Sequence, residues 1–186
     1  FSNRFFYGDK LKPVGLKHQK IPMKSAVFFR PSVPETSNAF GKTNRMEAKI
    51  VAEWAVEIWK EYGDDFNAER TLGVITPYRN QIALIRKKLR KSGIPVLEQI
   101  SVDTVERYQG SERDVIIYSF CLNRPEQLEL LPNLTKEDGV LIDRKLNVVL
   151  TRARRCLYVT GVPELMEQNE IYRKLLDYLT SDKGEA

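Results

Sequence analysis

A chain of 186 residues that is 42% hydrophobic and 30% charged has enough apolar material for one packed core, burying roughly 70% of its unfolded surface without disulfide staples. Two cysteines and a single histidine, His18, exclude a disulfide framework and a metal cluster, and no apolar run approaches the roughly 18 residues of a membrane span. With no leader pattern at its start, the chain reads as a soluble protein of the cytoplasm, or of the nucleus in a eukaryote, and its net charge of +5 favours a nucleic-acid partner only slightly.

Residues 1–22 hold Phe5, Phe6, Tyr7 and Leu11 without a clean period, so a short helical turn and an irregular connector are expected there. Ala26-Val-Phe-Phe-Arg30 is a short strand, stopped by Pro31 and Pro34. In Thr36 to Thr43 only Gly41-Lys42-Thr43 matches the tail of a phosphate-cradling loop. Thr36 stands where such a loop needs glycine, because a Cβ there obstructs backbone N–H groups wrapping a phosphate, and the stretch reads as a solvated loop. Asn44 with Glu47 three residues on makes a helix start, and Ile50, Val51, Trp54, Ala55, Ile58, Trp59 and Tyr62 repeat at helical spacing until Gly63. Both tryptophans read as packing side chains rather than base-stacking platforms.

Leu72 to Thr76 is the next buried strand, after which Thr76 is expected to cap a helix with Pro77 in its first turn. Ile82, Ile85 and Leu89 give that helix an apolar face and leave Arg86, Lys87, Lys88, Arg90 and Lys91 to solvent. Ile94 to Val105 carries strand character into a polar loop broken at Gln109-Gly110-Ser111, and Val115 to Leu122 is the longest apolar strand. Residues 123–142, with Pro125, Pro132, Asn133 and Gly139, read as an exposed loop. Leu146 to Arg152 starts a short helix, Leu157 to Gly161 is a last strand, and Glu164 to Leu179 a terminal helix before a frayed tail at 181–186. Cys121 and Cys156 each fall in an apolar strand and read as core thiols. Strands separated by helices imply a single three-layer α/β domain over 1–186, a mostly parallel sheet with helices on both faces.

Asp143 to Arg155 sets five positive side chains within thirteen residues, immediately before the apolar Cys156 to Gly161, which points to an anion met there. That stretch and the loop before it carry a resemblance. VDTVERYQGSERDVII, from Val102, followed by LNVVLTRARRCLYVTG, from Leu146, resembles the last two motifs of superfamily 1 helicases, in the branch of the nonsense-mediated-decay RNA helicase, senataxin and the flap nuclease-helicase of replication. Phe6-Tyr7-Gly8, Asn44 to Ala48 and Gly73 to Gln81 match further, so the resemblance covers nearly the whole chain.

The resemblance implies a RecA-like domain, the P-loop NTPase fold without its own P-loop, acting as the C-terminal motor domain of an ATP-dependent DNA or RNA helicase. ATP and Mg2+ would be held mainly by an N-terminal RecA-like domain of the same parent protein, and single-stranded DNA or RNA would be the other partner. The start follows where a glutamine-tyrosine-arginine motif stands in the family, so the chain is expected to be a fragment and inactive alone. Arg152, in Leu-Thr-Arg-Ala, matches the arginine finger; Glu112 matches the glutamate that binds the nucleotide ribose, and Gly110 the glycine that approaches the nucleotide. Thr76, Pro77, Tyr78 and Arg79 match the segment along the nucleic-acid backbone, with Asp103 and Thr104 near the same track. Val149 and Lys145 depart from the family's alanine and arginine. Read without the family, Glu112 is a surface residue leading a strand and Thr76 an ordinary helix cap, while Arg154 and Arg155 serve either an interdomain cleft or salt bridges. The rival function is a stand-alone nucleic-acid-binding or interaction module with an inherited fold.

Overall fold

Short β-branched runs assemble as five parallel strands in the computed structural model, which describes residues 26–36, 42–108, 111–137 and 140–180. In chain order these are β1 (Ala26–Pro31), β2 (Leu72–Ile75), β3 (Ser101–Asp103), β4 (Arg113–Ser119) and β7 (Ala153–Gly161), side by side as β1-β7-β4-β2-β3. A separate antiparallel hairpin pairs β5 (Leu134–Glu137) with β6 (Val140–Asp143). The helices are α1 (Arg45–Tyr62), α2 (Arg79–Arg90), α3 (Pro95–Gln99), α4 (Gln127–Leu130), α5 (Arg144–Arg152), α6 (Pro163–Met166) and α7 (Glu170–Thr180).

Alternation along the strands builds the two core layers. Val115 and Ile117 of β4 join Leu72, Val74 and Val102 under α1, α2 and α3, whereas Ile116 and Tyr118 join Ile75, Leu157 and Val159 under α5, α6 and α7. Helices therefore cover both faces, the doubly covered parallel sheet of a RecA-like α/β fold. Trp54 is buried at 4% exposure, edge-on to Tyr158, with the Arg30 guanidinium over its ring, so it packs as expected.

Asn44 caps α1, its side chain accepting from Glu47 N at 2.9 Å, and Gly63 ends the helix at φ 52°, a conformation glycine adopts without strain. Elsewhere the structure corrects the expected elements. Thr76 does not cap α2. Pro77 holds the residue before it extended, and Thr76 N donates to Asp103 O at 3.1 Å, prolonging the sheet, so the helix waits until Arg79. The strand expected from Ile94 shrinks to β3, because Pro95 opens α3 and has no N–H for a ladder. Residues 123–142 are not plain loop: α4 and the hairpin bring Leu131 and Ile142 into the core. Asp143, unnoticed in the sequence, accepts from Lys145 N, Leu146 N and Asn133 N, which starts α5 two residues early, and its other oxygen accepts from Tyr172 OH at 3.0 Å. Asn169 accepts from Ile171 N and Tyr172 N and so divides the terminal helix into α6 and α7. β7 begins four residues before its expected start at Leu157. The connector at 1–22, Gly41 and the tail at 181–186 lie outside the described residues.

Candidate nucleotide and strand-contact surfaces

At the amino ends of the strands, Arg113 of β4 pairs with Ala153 of β7, so Glu112 and Arg152 stand at the same level on neighbouring chains. The register then slips. Between this pair and the next, Val115 with Cys156, one β4 residue faces two of β7, a bulge that turns Arg154 and Arg155 toward Asp114. Arg154 lies 3.3 Å from Glu112 Oε2 and 3.8 Å from Asp114 Oδ1, and Arg155 lies 4.0 Å from the same Asp114 oxygen. Both arginines thus make salt bridges within the domain. Arg152, at the end of α5, is half-buried; its Nη2 reaches Thr151 Oγ1 at 3.5 Å, and its Nε is buried without a partner among the described residues.

The loop from β3 to β4 joins this edge to the opposite one. It leaves the carboxyl end of β3 at Asp103 and enters β4 at Arg113. Tyr108 anchors it from within: buried to 2% exposure, its hydroxyl meets Ser101 Oγ in a short contact and donates to Ser101 O at 3.1 Å, while the Arg113 guanidinium sits over its ring at 5.9 Å. Gly73 of β2 makes this possible, because a Cβ there would collide with the Tyr108 hydroxyl. Gly110 lies outside the described residues.

The other candidates gather at the carboxyl edge. Asp103 pairs with Ile75 in the β2–β3 ladder, so Thr76 and Thr104 follow at one level. Thr76 is fully buried with its hydroxyl unpartnered among the described residues; Asp103 accepts from Thr104 N at 2.9 Å and lies 3.8 Å from Arg107. Pro77 and Tyr78 are half-buried and Arg79 is exposed in the first turn of α2. The Tyr78 hydroxyl receives Gln127 Nε2 at 3.0 Å, and burial pushes its pKa upward. The structure thus divides the sequence candidates into two groups, Glu112 with Arg152 at one edge and Thr76 to Arg79 with Asp103 and Thr104 at the other. Sequence reasoning missed Tyr108, Gln81, Gln127 and Glu47. An Asn-x-x-Glu start ordinarily returns the glutamate to the cap's own N–H, but Asn44 N donates instead to Gln81 Oε1 at 2.9 Å, and Glu47 turns inward to the sheet. Among the described residues no three His, Cys, Asp or Glu side chains converge to hold a metal, and no helix is long and apolar enough to cross a membrane.

Residues 1–164 match the family model described as AAA domain. Helicase sen1 of Schizosaccharomyces pombe is 32% identical over 150 residues, which is 80% of this chain and 8% of that protein. The DNA replication ATP-dependent helicase/nuclease DNA2 of Bos taurus is 32% identical over 155 residues, 81% of this chain and 13% of that protein. The chain spans no more than 13% of the length of these two relatives. The solved C-terminal domain of a possible DNA helicase from Lactobacillus plantarum aligns with a TM-score of 0.45 and 16% identity, covering 80% of this chain and 82% of that one. The family match extends over most of the sequence and agrees with the doubly covered parallel sheet: the chain belongs to the AAA domain family, as a superfamily 1 helicase domain of the branch that includes Sen1 and DNA2.

Proposed function

We propose that this chain is the C-terminal motor domain of an ATP-dependent helicase, completing an ATP site with Arg152 and taking a single strand of DNA or RNA at its opposite edge. The observation that carries this reading is the β3–β4 loop, which runs from Asp103 and Thr104 at the carboxyl edge to Glu112, level with Arg152, at the amino edge. One connection spans both proposed sites. ATP and Mg2+, held mainly by an N-terminal RecA-like domain of the parent protein, would supply the phosphoryl chemistry.

The residues present suit that role. Arg152 has no ion pair among the described residues, and its planar head can give paired hydrogen bonds to phosphate oxygens whose charge grows during transfer. Glu112 uses Oε2 toward Arg154 and keeps Oε1 for a ribose hydroxyl. At the other edge, Arg79 and the N-terminal turn of α2 offer a guanidinium and backbone N–H groups to a phosphate chain. The test is Arg152→Ala in a parent protein that includes the P-loop domain, assayed for ATP turnover under saturating single strand and for binding of a fluorescent nucleotide. Turnover should fall by about 10³ to 10⁵ while nucleotide binding is largely kept. Arg152→Lys should rescue poorly, since an ammonium lacks the paired donors. Near-normal turnover in folded Arg152→Ala would overturn the reading.

A further inference from the structure

The α1-facing side of the sheet ends in a row of hydroxyls. Parallel register sets Thr160 of β7 beside Ser119 of β4, and Thr76, just beyond β2, beside Ser119 on the other side. All three are fully buried, and the Thr76 and Thr160 hydroxyls have no partner among the described residues. Glu47, in the first turn of α1, sets its carboxylate onto the middle of this row. Its Oε2 accepts from Ser119 Oγ at 2.6 Å and from Cys121 N at 2.8 Å, and its Oε1 from Ser32 Oγ at 3.2 Å. Glu47 is fully buried and no cation pairs with it among the described residues. A carboxylate is a costly way to fill a core, and an apolar side chain would pack there more cheaply, so its retention calls for a role in geometry.

Two hydrogen-bonded routes lead from this carboxylate to the proposed strand contact. In the first, Ser119 Oγ accepts from Gln81 Nε2 at 3.3 Å. Gln81 belongs to the first turn of α2 and closes a reciprocal pair with Asn44, accepting from its N–H at 2.9 Å and donating to its carbonyl at 3.0 Å. In the second, Cys121 is held at φ 52°, a left-handed backbone conformation that a cysteine rarely adopts and that must be stabilised from outside. The Cys121 carbonyl accepts from Gln127 Nε2 at 3.3 Å, and that same amide donates to Tyr78 OH. Gln127 Oε1 is itself fixed by Asn123 N at 2.7 Å and Arg124 N at 3.0 Å. Both routes end on the segment from Tyr78 to Gln81, which presents Arg79 to solvent.

We propose that Glu47 is a positioning residue for strand binding, setting the place of Tyr78 and Arg79 through Ser119–Gln81 and through Cys121–Gln127. The inference rests on the reading that Thr76 to Arg79 takes a nucleic-acid backbone, and the test separates the two. Affinity of the chain for labelled oligo(dT) and oligo(U) is measured by fluorescence anisotropy for wild type, Glu47→Ala, Arg79→Ala and the double variant. Each single change should weaken binding about fivefold to tenfold, the worth of one hydrogen bond or phosphate contact. The double variant should bind no more weakly than about the weaker single, because Glu47 acts through the turn that carries Arg79. Glu47→Gln should restore wild-type affinity: the retained oxygen still accepts from Ser119 and Cys121, and the amide donates to Ser32 Oγ. Wild-type affinity in folded Glu47→Ala, or losses that multiply in the double variant, would overturn the proposal. Should Glu47→Ala fail to fold, Gln127→Leu, which cuts only the second route, takes its place in the same cycle. No binding by wild type, or no loss with Arg79→Ala, refutes the strand-contact reading itself, a result distinct from an unaffected Glu47→Ala beside a weakened Arg79→Ala.

Discussion

Glu47→Gln should stabilise the protein above neutral pH and leave it unchanged below about pH 4.5. Burial raises the Glu47 pKa from its ordinary 4.5 to about 7, against the pull of the Ser119, Cys121 and Ser32 donors. The neighbouring titratable groups that feel its charge, Cys121 and Tyr118, are themselves pushed up, first by burial, and stay neutral through this range. Because the folded protein holds the Glu47 proton more tightly than the unfolded chain, the favourable contribution is fully present below about pH 4.5 and is lost as the pH rises through about 7. At about 1.4 kcal/mol for each pH unit, the ceiling on that loss is roughly 3 kcal/mol. Glutamine resembles the protonated acid and has nothing to lose. Urea unfolding of both proteins at several values between about pH 4 and pH 8 should show curves that meet at the acid end and diverge through about pH 7, the variant higher by up to roughly 3 kcal/mol. A difference that stays constant with pH, or that favours wild type in base, would refute the claim that the cost of burying this carboxylate outweighs its three hydrogen bonds.

Gly73→Ala should cost about 1 to 3 kcal/mol in urea unfolding, because the new methyl collides with the Tyr108 hydroxyl and stands 3.0 Å from Arg113 Cγ, forcing the loop anchor away from Ser101. Unchanged stability would mean Tyr108 can leave freely. Asp143→Ala should cost roughly 2 to 4 kcal/mol, since it removes the cap of α5 and leaves the buried Tyr172 hydroxyl without its acceptor. Asp143→Asn should recover part of that loss by restoring the cap, and equal destabilisation by both would place the whole effect on Tyr172.

What could be read in the sequence follows the range of each interaction. Helix α1 and strand β4 were legible because their apolar residues repeat along a single element, and the Leu-Thr-Arg-Ala and Gln-Gly-Ser-Glu stretches because their residues are contiguous. The start of α2 is hidden because Thr76-Pro77 has the pattern of a cap and first turn, whereas Pro77 keeps Thr76 extended and the Asp103 carbonyl takes its N–H across the sheet. The hairpin at β5 and β6 was hidden because its strands have four residues each and Gly139 and the prolines dominate the composition. Glu47 was hidden for a different reason. Its partners Ser32, Ser119 and Cys121 lie up to 74 residues away, and no local pattern distinguishes a glutamate that caps a helix from one that turns into the sheet.

Three arginines fall within four residues at the amino edge, and their surroundings separate them. An arginine that must meet phosphate has to give up its existing partners first, and a head already bound to carboxylates loses those charge-assisted bonds on the way. The β7 bulge commits Arg154 to Glu112 and Asp114, and Arg155 to Asp114, so that two of the three positive charges are answered within the domain. Arg152 lies before the bulge, at the end of a helix whose capping residue Asp143 is buried at the far end and engaged there with Tyr172. Among the described residues its head reaches only its neighbour Thr151, at the outer limit of a hydrogen bond. The acids at this edge thus neutralise two of the three arginines, and among the described residues Arg152 is the one left without an ion pair, as the proposed finger role requires. If Arg152 is the proposed finger, Asp114→Asn, by loosening Arg155 and part of the hold on Arg154, should bring competing cations to the phosphate and lower ATP turnover of the parent protein, and unchanged turnover would refute this account.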